Sequence, residues 1–205
     1  MNPLIHALDL SGTFVFALSG GMAAARKGLD PFGFVVVAMV TGLGGGTLRN
    51  LLLDIHPVTW VADPGYLLVC VIAALLTFAW ANWLQSREPW LRIADALGLG
   101  LFAVAGTQLA LTAGTHGAIA AMMGVTTGIA GGMMRDVLCN EVPLVLQREI
   151  YALAALAGSF AYVLLHWAGF SVMASAAVAF TVCVGLRLAA IRWNLSLPTY
   201  RRKRS

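Results

Sequence analysis

The 205-residue sequence predicts an all-α integral membrane protein of seven transmembrane helices, arranged as two inverted three-helix repeats plus a seventh helix, with glycine-kinked helices 2 and 5. Three observations predict it. Hydrophobic residues make up 60% of the chain and charged residues 11%, too few charges to coat a soluble surface. Apolar stretches of about 20 residues, the length that crosses a hydrocarbon core of roughly 30 Å, recur seven times. Finally, Thr41-Gly-Leu-Gly-Gly-Gly-Thr-Leu-Arg-Asn50 returns as Thr127-Gly-Ile-Ala-Gly-Gly-Met-Met-Arg-Asp136, 86 positions later (49 to 135).

The spans fall at about 4 to 25, 32 to 53, 65 to 84, 93 to 112, 117 to 139, 149 to 168 and 170 to 191. Span 1 carries Asp9 near one end and Gly12, Gly20 and Gly21 along its length; small residues let membrane helices approach closely. Arg26 and Lys27 follow this apolar run rather than precede it, so it reads as a retained helix and not as a signal peptide. Span 2 contains Gly44, Gly45 and Gly46 with Arg49 three residues on. Span 3 is a plainer helix with Trp80 and Trp83 near its end, where amphipathic rings favour the headgroup level.

Span 4 starts the pattern again: Asp95 matches Asp9, Gly98 matches Gly12, Phe102 matches Phe16 and Gly106 matches Gly20. Span 5 continues without a gap, Thr127 matching Thr41, Gly131 and Gly132 matching Gly45 and Gly46, and Arg135 matching Arg49. Gly44 falls on Ala130 and Asn50 on Asp136, so the copies are not equivalent. Three spans per repeat is an odd number, so the second repeat enters the membrane upside down, an architecture that brings the interrupted helices of both halves together at mid-depth. The domain reading is a single transmembrane unit: repeat one at about 4–84, repeat two at about 93–168, an extra helix at about 170–191 and a basic cytoplasmic tail at 192–205.

Charge supplies the orientation. Arg26, Lys27, Arg87, Arg92, Arg148, Arg192 and the run Arg201-Arg-Lys-Arg204 fall on one side, against Asp54, His56, Asp63, His116 and His166 on the other. By the positive-inside rule the N-terminus lies outside and the C-terminus in the cytoplasm. The net charge of +4 therefore reads as a topology signal, with the basic tail against anionic lipid, and no nucleic-acid partner is expected. Cys70, Cys139 and Cys183 have no CxxC spacing, and the four histidines no HxxxH or HExxH spacing, so no metal site and no cofactor are expected.

An arginine in hydrocarbon is costly without an acid or water beside it. In this topology Asp9 and Arg49 share the outer half of the membrane and Asp95 and Arg135 the inner half, which predicts two related ion pairs, with Asp136 adding negative charge on the inner side. A structural clamp and a gate both fit such pairs. Glycine-loosened turns at 44–46 and 130–132 are expected to free carbonyl oxygens for a small cation, and the half-helix N-termini to suit an anion. The hydroxyls of Thr41, Thr47, Thr126 and Thr127 either face a path or satisfy their own helix backbone.

The paired glycine-glycine-x-x-arginine elements, set in an inverted repeat with a seventh helix, resemble the prokaryotic trimeric intracellular cation (TRIC) channel family, whose sequences are also similar to the bacterial membrane domain labelled glycine transporter. The resemblance covers essentially the whole chain. It implies a homotrimer in a bacterial inner membrane, each protomer holding its own pore lined by helices 2 and 5 and passing potassium or sodium. It assigns Gly44, Gly45, Gly46, Gly131 and Gly132 as kink glycines and Arg49 and Arg135 as the basic residues beyond them. The expected ion path adds Thr41, Thr127, Asn50 and Asp136, with Asp9 and Asp95 as ion-pair partners. Asn50 stands where an acid would match Asp136, which implies weaker attraction of cations in the outer half. The alternative is a secondary carrier for glycine or another small zwitterion. No nucleophile and base stand at a catalytic spacing, so no enzyme is expected.

Overall fold

The computed structural model describes residues 3–84, 88–147 and 150–196. All regular elements among them are helical. The seven principal helices are α1 (Pro3–Lys27), α2 (Pro31–Leu52), α3 (Gly65–Ala79), α4 (Glu88–Thr112), α5 (Gly117–Leu138), α6 (Ala152–Trp167) and α7 (Val172–Trp193). Two four-residue helices, Thr59–Ala62 and Ala81–Leu84, and a 3-10 turn at Leu144–Leu146 lie between them. Arg87, Arg148 and the basic run at 201–204, used above for orientation, lie outside the described residues.

Among the described residues, five helices (α1, α2, α4, α5 and α7) are long and apolar enough to cross a membrane by length and composition. The two third helices are shorter than the expected spans 65–84 and 149–168: α3 has 15 residues and α6 has 16. At 1.5 Å per residue they reach only about 22–24 Å. In α3 the cause is a turn at Trp80, after which Ala81–Leu84 resumes as a separate short helix.

Local chemistry sets the ends. Asp30 caps α2 by accepting a hydrogen bond from the Gly33 amide at 2.7 Å, with Pro31 pre-shaped for the first turn. Ser171 caps α7 through the Ala174 amide. The exits repeat between halves: Gly28 and Gly114 take left-handed backbone after α1 and α4, at φ 63° and 81°. Asp54 and Asn140 do so after α2 and α5, at φ 54° and 52°, a conformation that short polar side chains tolerate.

The packing repeats too. Phe16 and Phe102, equivalent residues on α1 and α4, meet with ring centroids 5.2 Å apart. Gly12 lies against Phe102, and its counterpart Gly98 lies against Phe16. Likewise Gly20 receives Thr41 and Gly106 receives Thr127, each within its own half. Helices α1 and α4 thus form the middle of the bundle, α2 and α5 cross beside them, and α6 and α7 pack together on the second half.

The expected unwound turns do not occur. Both α2 and α5 are α-helical without interruption through 44–46 and 130–132. Glycine here serves close approach instead: a Cβ on Gly45 would collide with the Thr127 carbonyl oxygen, and one on Gly131 with that of Thr41. Two helix backbones touch at this crossing, which only glycine permits.

Candidate functional site

Arg49 sits in the last turn of α2 and Arg135 in the last turn of α5, and both are buried, at 0% and 1% exposure. A guanidinium stays charged at any ordinary pH, so at this depth its partners decide what it does. In the first half, Arg49 grips Asp9 with two prongs, Nη1 to Oδ1 at 2.7 Å and Nη2 to Oδ2 at 3.0 Å. Its Nε and Nη2 also donate to Asn50 Oδ1, at 3.0 and 2.9 Å. Asn50 passes the network on, donating from Nδ2 to the Thr59 hydroxyl at 2.6 Å.

The second half repeats this design with different chemistry. Arg135 Nη1 donates to Asp95 Oδ1 at 2.6 Å and also to the Ser19 hydroxyl of α1. Its Nε donates to Asp136 Oδ1 at 2.8 Å, and Asp136 Oδ2 accepts the Leu144 backbone N–H at 3.0 Å. Arg49 thus faces one carboxylate and one amide, whereas Arg135 faces two carboxylates. In both halves the arginine and its main aspartate are 40 residues apart.

The glycines divide their roles. Gly45 and Gly131 make the helix crossing, while Gly44 lies against the flexible Met134 sulfur. Gly46 and Gly132 border the arginines: a Cβ on Gly46 would stand 3.7 Å from Arg49 Nη2, and one on Gly132 the same distance from Arg135 Nη2. Thr41 and Thr127 turn their hydroxyls back to their own helices, bonding Val37 and Met123 carbonyls at 2.6 Å each. Thr47 and Thr126 do the same with Leu43 and Met122.

Two cavities flank the crossing. The one at the Arg135 end measures about 280 Å³ and is lined by Arg26, Arg92, Arg135, Asp136, Glu141 and Gln147 among others. Its rim is tied by Glu141, which pairs with Arg26 at 3.0 Å and Lys27 at 3.1 Å. The cavity at the Arg49 end measures about 10 Å³ and is lined by residues that include Asp9, Thr13, Gly46, Thr59, Trp60 and Tyr66. A larger groove beside α1 and α3, lined by Phe14, Leu18, Met22, Trp80 and Trp83, is apolar and lacks such charges.

Several participants escaped sequence reasoning, among them Arg187, Tyr151 and Ser19. Arg187 of α7 is fully buried, its guanidinium 4.8 Å above the Tyr151 ring, and Tyr151 in turn faces Gly132 and Asp95. The signal for Arg187 was available, since it interrupts an apolar span just as Arg49 does. Tyr151 and Ser19 gave none: one hydroxyl in an apolar stretch is indistinguishable from a packing residue. Among the described residues no three of His, Cys, Asp or Glu converge as a metal-binding group.

The similarities to known proteins cover nearly all of this architecture. The family model described as Glycine transporter matches residues 6–82 and 92–167, two segments that begin 86 positions apart (6 to 92). The UPF0126 inner membrane protein YadS of Escherichia coli (strain K12) is 42% identical over 200 residues, 96% of either chain. The UPF0126 membrane protein YvgT of Bacillus subtilis (strain 168) is 34% identical, over 93% of this chain and 94% of its own. Among solved structures, the TRIC trimeric intracellular cation channel orthologue from Rhodobacter sphaeroides superposes with a TM-score of 0.90 at 42% identity, over 94% of this chain and 99% of that one. A prokaryotic TRIC channel gives 0.89 at 35% identity, over 96% and 100%. The repeated buried arginines, the glycine crossing between halves and this full-length similarity converge: the chain is an integral membrane protein of the bacterial type and belongs to the TRIC channel family, whose sequence model is described as Glycine transporter.

Proposed function

We propose that the protein is a monovalent cation channel, permeable to potassium, with a pore in each protomer of a homotrimer. The observation that carries this reading is the full-length match, at 42% identity, to a structure described as a trimeric intracellular cation channel. The path runs along α2 and α5, from the cavity at Arg135 and Asp136 past the Gly45–Gly131 crossing to the cavity at Asp9 and Gly46. Thr41 and Thr127 contribute backbone at the crossing, and Gly44 and Gly132 widen its flanks. Opening bends α2 and α5 at their glycines, where no side chain resists a change of axis. The two halves act as inverted three-helix repeats, about 4–84 and 93–168, with α7 added, the N-terminus outside and the basic tail in the cytoplasm.

The ion pairs set the electrostatics. A bare guanidinium would repel a cation from a low-dielectric path, and Asp9 and Asp95 cancel that charge. Asp136 then leaves the Arg135 end with a surplus carboxylate that Asn50 does not supply at the other end. Lipids surround the trimer and fill its apolar grooves.

The test is current through purified protein in a planar bilayer under asymmetric potassium chloride, with glycine added in a second run. Unitary steps reversing near the potassium equilibrium potential are expected. The family description favours a second reading, a carrier for glycine, in which the carboxylate would meet the arginines and the ammonium Asp136 or Glu141. Absence of steps together with saturable glycine uptake into proteoliposomes would replace the channel by the carrier.

A further inference from the structure

The two ends of the molecule are built from equivalent residues, yet one cavity is about 280 Å³ and the other about 10 Å³. That smaller volume holds on the order of one water molecule. The difference traces to the segments after α2 and α5. After α2, the short helix Thr59–Ala62 folds back over the helix end and is fastened twice: Thr59 accepts from Asn50 at 2.6 Å, and Trp60 Nε1 donates to the Thr47 hydroxyl at 3.1 Å. The indole of Trp60 thereby forms a wall of the cavity that holds Asp9 and Thr13.

The equivalent of Trp60 in the second half, 86 positions on (60 to 146), is Leu146. It is 73% exposed and stays out of the larger cavity, whose wall there is made by Leu144 and Gln147. Thr47 has Met133 as its counterpart, so the second half also lacks the hydroxyl that holds the indole. Each half thus serves as a control for the other: where the indole is fastened the cavity is small, and where leucine turns away it is large.

We propose that Trp60 is the gate residue of the Arg49 end, an indole held by Thr47 on a short helix that Asn50 pins through Thr59, and that it must swing aside before anything reaches the Asp9–Arg49 pair. The consequence for conduction rests on the channel reading above, but the cover itself does not. Releasing it breaks the Trp60–Thr47 bond and leaves the ion pair intact, so opening need not expose a bare arginine.

The experiment uses the full chain carrying Thr13→Cys, purified in detergent, and a small cationic methanethiosulfonate. Thr13 is 2% exposed and lines the covered cavity, and the native cysteines are buried, so the parent protein gives the baseline. Adding Trp60→Ala is expected to speed modification of the new cysteine by about tenfold or more, because local opening no longer limits access. Trp60→Phe, which keeps a ring but loses the bond to Thr47, is expected to fall between, and Leu146→Ala to leave the rate unchanged. Equal rates for Trp60→Ala and its parent, or the same acceleration from Leu146→Ala, would overturn the gate. Bilayer recordings separate the two readings: faster labelling with no current in any variant would keep the cover and remove the channel.

Discussion

The two halves of this chain solve one problem, a buried arginine at the end of a membrane helix, with unequal means. In the first half Arg49 has a two-pronged carboxylate and a neutral amide, Asp9 and Asn50. In the second half Arg135 has two carboxylates and a hydroxyl, Asp95, Asp136 and Ser19. The first arrangement balances its charge and the second carries a surplus. Repetition therefore preserved the pairing of arginine with aspartate, while the number of prongs and the charge, the quantity that matters to a passing ion, diverged. The lesson is that position in a repeat predicts contact better than it predicts electrostatics.

Removing the main aspartate from each half should separate them most clearly. Asp9→Ala leaves Arg49 buried with only an amide oxygen, and the loss of a partner from a buried pair costs about 3–5 kcal/mol. Asp95→Ala leaves Arg135 with Asp136, so its loss should be nearer about 1–3 kcal/mol, the cost of an unmade buried hydrogen bond. Unfolding of the detergent-solubilised protein measures both. Equal losses would mean that Asp136 does not compensate and would break the comparison.

The crossing supplies the opposite test, because there the halves are alike. Gly45→Ala and Gly131→Ala each push a methyl into a backbone carbonyl, and overpacking of this kind costs about 1–3 kcal/mol. The two losses should match, and the double variant should lose less than their sum because both act at one contact. Gly185→Ala in α7 meets no atom within 4 Å, so it should instead stabilise its helix by about 0.5–1 kcal/mol. Exchange of the diverged position tests charge directly. Asn50→Asp should raise potassium flux and Asp136→Asn lower it, each by roughly two- to tenfold through local ion concentration. Flux unchanged in both would place those residues off the path.

Much of this was legible in the residues. A repeat with the same 40-residue separation between aspartate and arginine in each half brings the same two groups together twice, and apolar length located the helices to within a few residues. What the pattern misread was the glycine run. A triplet of glycines is compatible with an unwound turn and with a tight crossing, and only the position of Thr41 and Thr127 on the opposing helix decides between them. The α3 helix also ended early, at Trp80, because hydropathy does not register a turn between two apolar segments. Trp60 was invisible for a different reason: its hydrogen bond to Thr47 depends on a fold-back that no periodicity encodes.

The smallest expected effect lies at a contact with no counterpart. Glu141 bridges Arg26 and Lys27 across the rim of the larger cavity, while the equivalent position in the first half is Ile55. All three side chains are about one-third exposed, so water and salt screen the bridge. Glu141→Gln should therefore cost less than about 1 kcal/mol at low salt and nothing measurable at high salt. Conduction should respond differently from stability. The carboxylate of Glu141 offsets the charges of Arg26 and Lys27 at the mouth, and its removal leaves those cations facing the entering ion. A lower potassium current at low salt that recovers at high salt, with stability unchanged, would place Glu141 on the approach to the path. A loss of stability that salt does not alter would show instead that the bridge holds α1 to the segment after α5.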